Sequence, residues 1–125
     1  MSTIKANTLL HSDGTTTTQP SIPALDQRMA KAWVHFNGTG TVAINSAYNV
    51  SSITDVQSGK YIVNFTNNLA NTNFTVAGFS GRNSYPIVAG AGNARSVSSL
   101  DVSTGSYVSA FAYVDVDSIA VTIFG

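Results

Sequence analysis

The residues able to do acid–base, metal or nucleophilic chemistry are few and scattered. Histidine occurs twice, at His11 and His35. No His-x-His or His-Glu-x-x-His spacing is present, so the two form no metal-ligand motif. Cysteine is absent, which removes disulfides, thiolate zinc sites and thiol nucleophiles. Six Asp and no Glu supply all side-chain carboxylates. Asp115 and Asp117 are the one close pair, on one face of the chain if it is extended there. Glycoside cleavage needs two carboxylates about 5–10 Å apart across the bond. No aromatic-and-carboxylate cluster accompanies this pair, and a turn between two strands is its plainer reading. Asp13, Asp26, Asp55 and Asp101 are isolated. Gly-x-Ser-x-Gly, Gly-x-Gly-x-x-Gly and Walker patterns are all missing. The expectation is a non-enzyme with no metal and no cofactor.

Binding chemistry is better represented. Asn68 and Asn71 sit in an Asn-rich loop with Asn67 and Asn73. Arg82, Asn83 and Tyr85 follow, with Ser84, and then Asn93 and Arg95. Amides and guanidinium groups bond sugar hydroxyls, and aromatic rings stack on sugar faces. These loops are therefore candidate contacts for a neutral glycan. The plainer reading is that Asn and Ser make the turns they favour.

The elements that must carry these loops are strands. Lys60 to Thr66 alternates, with Tyr61, Val63 and Phe65 on one side and Lys60, Ile62, Asn64 and Thr66 on the other. Trp33 to Phe36 reads as a strand followed by the turn pair Asn37-Gly38. Ile119, Val121 and Ile123 share a face in the last strand. Ser103-Thr104-Gly105 reads as a turn. Between 106 and 116, Tyr107, Ser109, Phe111 and Tyr113 face one way, and Val108, Ala110, Ala112 and Val114 the other. Eight or nine short strands at regular spacing predict an all-β fold, an antiparallel β-sandwich or jelly-roll-like domain over 32–125. The two-sided apolar character of 106–116 fits burial of Tyr107, Phe111 and Tyr113 against another copy, or a closed sandwich whose tight core absorbs both faces.

Two segments precede the domain. Residues 1–23 hold Thr15 to Thr18, then Pro20 and Pro23, a sequence that favours an extended path. It reads either as a flexible linker or as an extended arm that lies on a partner, with Ile4, Leu9 and Leu10 as its apolar anchors. Residues 24–31 are the one helix candidate. Pro23 suits the first turn and Asp26 the positive end. Leu25 and Met29 share a face four residues apart. Two turns are too short to stand alone, so this face must pack on the domain or on its own copies.

Composition supports the same class. The 125 residues carry three Lys, three Arg and six Asp, for a formal charge of zero. Ser, Thr and Asn make up about a third of the chain. Missing Glu and scarce Lys argue against a helical protein. Neutrality and the absence of a basic cluster exclude generic nucleic-acid binding. No apolar run approaches a membrane span, and the first residues lack the pattern of a signal peptide.

The stretches 32–44, 48–55 and 59–65, with Trp33-Val34-His35-Phe36-Asn37-Gly38 at their head, resemble a domain common in tail fibres and related virion proteins of tailed bacteriophages. The ending 118–125 looks like the terminal strand of such fibres. The start, 2–8, is similar to that of small fibre-like proteins of aquatic phages. The resemblance implies a homotrimeric, β-rich piece of a virion. Its N-terminal arm would attach to other virion proteins (a tail adaptor, baseplate or capsid), and its β-domain would face outward toward host surface polysaccharide. It supplies no matched receptor-contact residues. The expected role is a short tail fibre or receptor-binding protein, and the alternative is a capsid-decorating or head-fibre protein with a structural role. Either way the expected location is the virion surface.

Overall fold

The computed structural model describes residues 1–15, 22–81, 87–89, 95–107 and 110–125, with the backbone alone at 87–89, Tyr107 and Phe111. The fold is all-β, with two antiparallel sheets packed as a sandwich and, among the described residues, one short helix. In chain order the elements are α1 (Pro23–Asp26), β1 (Ala32–Asn37), β2 (Ala43–Tyr48), β3 (Val50–Gln57), β4 (Lys60–Phe65), β5 (Thr75–Ser80), β6 (Ile87–Ala89), β7 (Ser99–Tyr107), β8 (Phe111–Tyr113) and β9 (Ile119–Phe124). The first sheet has the order β2-β1-β9-β5. The second has the order β3-β4-β7-β6, and β8 folds back onto β7.

Period-two alternation builds the core. In β1, β4 and β9, every second residue is buried. Val34 and Phe36 from β1, with Ile119, Val121 and Ile123 from β9, form one wall. Tyr61, Val63, Leu100 and Val102 from β4 and β7 form the other. Phe36 meets Tyr61 edge-on, with ring centroids 5.2 Å apart. Phe65 meets Phe74 in the same manner at 6.3 Å. Such edge-to-face pairs contribute about 0.5–1.5 kcal/mol beyond the area they bury.

Two local expectations differ from the structure. Ser103-Thr104-Gly105 is not a turn but the middle of β7, where Ser103 pairs with Lys60 and Gly105 with Tyr113. Neighbouring strands on both sides hold this polar segment extended, and the chain reverses after Tyr107 instead. The helix is also shorter than 24–31. It covers Pro23–Asp26, and the backbone bond from Met29 to Leu25 closes one further turn. The Lys31 N–H then donates to the Ile123 carbonyl at 2.7 Å, which draws the chain into the first sheet.

Candidate functional site

The corner where the first strands meet the Asn-rich loop holds a cavity of about 360 Å³. That volume lies at the lower end of the range for small-ligand sites, about 300–1,000 Å³. Asn68 and Asn71 line it with Leu69, Phe74 and Asn49, and the Asp26–Lys31 ion pair closes one side. Apolar and amide groups thus face the same space. The two full charges on this wall belong to one salt bridge and cancel each other.

Backbone geometry explains why these residues converge. Asn49 takes a left-handed conformation, φ 54°, between β2 and β3. Its amide nitrogen donates to the carbonyls of Lys31 and Asn67, both at 3.1 Å. Its amide oxygen accepts the Asn67 N–H at 2.8 Å. One side chain therefore ties together the chain entering β1, the β2–β3 corner and the loop after β4. Further along the loop, the Asn71 side-chain oxygen accepts the Asn73 N–H at 2.8 Å, a local turn that presents Phe74 to the core. Among the described residues the Asn68 side chain has no hydrogen-bond partner.

Arg95 supports this wall from behind. Its guanidinium donates to the Phe74 carbonyl at 2.8 Å and lies 5.4 Å from the Phe74 ring centroid. Of the residues expected to contact glycan, Asn68, Asn71 and Arg95 are thus brought to one corner. Arg82, Asn83, Tyr85 and Asn93 lie outside the described residues.

Of the residues assigned to self-association, the described side chains are those of Leu25, Met29 and Tyr113. Leu25 and Met29 are 40% and 41% exposed, and α1 buries none of its residues. Tyr113 is partly exposed, with the Lys60 ammonium 4.3 Å from its ring centroid. The side chains of Tyr107 and Phe111 lie outside the described residues; their backbones pair at the end of the β7–β8 hairpin. Ile4, Leu9 and Leu10 of the arm are exposed, at 88%, 65% and 47%.

Asp115 has a structural task. Its Oδ1 accepts the Gly59 N–H at 2.6 Å and lies 2.9 Å from the Tyr61 hydroxyl. That hydroxyl also lies 3.0 Å from the Gly38 carbonyl, so its single proton serves two acceptors. Burial first, and the neighbouring Asp115 carboxylate second, push the Tyr61 phenol far above its ordinary value near 10. The cluster locks three connections at one end of the sandwich: 38–42, 58–59 and 114–118.

Sequence reasoning missed a contact between His35 and Ser118. The His35 Nε2 and the Ser118 Oγ are 3.0 Å apart, although 83 residues separate them. The pairing of β1 with β9 places them together, and no local signal reports it. Among the described residues no group of three or more His, Asp or Glu side chains could hold a metal ion.

Compared with known proteins, the chain matches no family model, no curated protein and no solved structure.

Proposed function

We propose that this chain is a non-enzymatic virion protein of the tail-fibre type, a homotrimer that binds neutral host-surface glycan through its β-domain. The observation that carries the glycan reading is the cavity lined by Asn68, Asn71 and Phe74. Amides offer donors and acceptors to hydroxyls, the apolar lining suits the C–H face of a sugar ring, and the balanced Asp26–Lys31 pair favours no charged ligand. The virion part rests on the resemblance of 32–65 and 118–125 to tail-fibre domains. In this reading the exposed arm, with Ile4, Leu9 and Leu10, docks on another virion protein.

Titration calorimetry against a panel of neutral and acidic bacterial polysaccharides tests the glycan part. Binding of a neutral member is expected, and Asn68→Ala combined with Asn71→Ala should weaken it by at least tenfold. Two lost amide contacts of about 1 kcal/mol each are enough for that factor. Binding confined to acidic polymers, or unchanged in the double variant, removes the cavity from the reading. Cryo-electron microscopy of particles carrying the labelled protein tests the virion part. Label on the tail supports the fibre role. Label on the head supports the alternative of a capsid-decorating protein, for which the exposed arm is an equally suitable clamp.

A further inference from the structure

The outer face of the first sheet is uncharged across all four strands. Register defines it in rows. One row is Tyr48, Trp33, Thr122 and Ala77; the next is Ser46, His35, Ala120 and Phe79. Phe124 and Thr75 begin a third. No Asp, Lys or Arg occurs in these rows. Lys31, just beyond the end of β1, is held by Asp26. An exposed face of an antiparallel sheet ordinarily alternates polar residues against the buried set. Here Trp33 is 36% exposed and Phe79 65% exposed.

We propose that this face is the surface through which copies of the chain associate, each packing it against the same face of a neighbour. The inference rests on the self-association part of the reading above and on none of its glycan or virion parts. Charge permits a like partner, because an uncharged face meets its own copy without repulsion and leaves no ion unpaired. Shape agrees. In the first two rows the β2–β1 half carries the large rings of Tyr48 and Trp33, whereas β9 and β5 carry Thr122, Ala120 and Ala77, with Phe79 at the far edge and Phe124 in the third row. A rotation axis parallel to the strands sets the ring-bearing half of one copy against the small-residue half of the next. Four strands about 4.8 Å apart and six residues long give a footprint of roughly 400 Å². That is smaller than the ~800 Å² per partner of a standard interface. Association is therefore expected to depend on concentration.

Trp33 is the single tryptophan of the chain, and its fluorescence reports the face directly. The experiment follows light scattering and acrylamide quenching of the full chain from about 1 to 200 µM, a range suited to a small interface. An oligomer is expected to form as concentration rises, with Trp33 emission moving to shorter wavelength and quenching falling in step. Ala77→Arg and Phe79→Asp, both at exposed positions, should each weaken association at least tenfold while the far-UV circular dichroism is retained. Leu25→Asp with Met29→Asp should leave it unchanged. A wild-type chain that stays monomeric overturns both this proposal and the homotrimer reading. An oligomer in which Trp33 stays fully open to quencher overturns this proposal alone. So does one that survives both face variants yet dissociates with the Leu25 and Met29 changes.

Discussion

Tyr61 is the best-connected polar side chain of the core. It is 1% exposed, and its hydroxyl is flanked by the Asp115 carboxylate and the Gly38 carbonyl. Removing the hydroxyl in Tyr61→Phe should cost about 1–2 kcal/mol, since two acceptors lose their donor. Asp115→Ala should cost about 1–3 kcal/mol, because it leaves the Gly59 N–H and the phenol without their acceptor. Urea titration of each variant measures both. The same phenol makes stability sensitive to alkali. The folded state holds the proton more tightly than the unfolded chain, whose tyrosines release it near pH 10. Stability is therefore fully present below about pH 10 and declines as pH rises further. Denaturation midpoints at pH 8 and pH 11 should fall more steeply in wild type than in Tyr61→Phe. Gly59 stands beside this cluster with φ +66°, and a Cβ there would sit 2.5 Å from the Val114 nitrogen. Gly59→Ala should destabilise the fold by about 1–3 kcal/mol, as strained backbone positions do.

Elements differ sharply in how much the fold depends on them. β1 and β9 are central in the first sheet, and β4 and β7 in the second. Leu100 in β7 is fully buried, so Leu100→Ala should cost about 2–5 kcal/mol. The helical turn lies at the other extreme. Leu25→Asp with Met29→Asp should shift the thermal midpoint by only a few degrees, because α1 buries nothing and surface changes stay near ±0.5 kcal/mol. Differential scanning calorimetry of the two variants checks this contrast. The central strands were legible in the sequence because β1, β4 and β9 each alternate cleanly. Thr104 was not. Its hydroxyl donates to the Val114 carbonyl at 2.6 Å, and its backbone N–H bonds the Gly59 carbonyl at 2.8 Å. A Ser-Thr-Gly run looks like a turn until partners on both flanks consume its polar groups.

For the molecule as a whole, scarcity of charge sets how it meets others. The six basic side chains balance the six acidic ones, and five of these charges, on Asp26, Lys31, Lys60, Arg95 and Asp115, are engaged in the contacts already described. Raising sodium chloride from 50 to 500 mM should change glycan affinity and self-association by less than about threefold. Strongly electrostatic complexes lose far more over such a range. Calorimetry and light scattering at the two salt levels measure this.

The residues alone determined the fold class and the alternating strands β1, β4 and β9. Each of these is a local property, carried by composition or by a period of two along one strand. Tertiary structure decided the rest. Asn49, Asn68 and Phe74 line one cavity only because separate connections meet at one corner of the sandwich. Asp115 reaches Gly59 and Tyr61 across more than fifty residues of chain. Trp33 lines up with Tyr48, Thr122 and Ala77 only once β1 is paired on both sides. A strand sequence says that two faces exist; its neighbours decide which one becomes core and what the other presents to solvent.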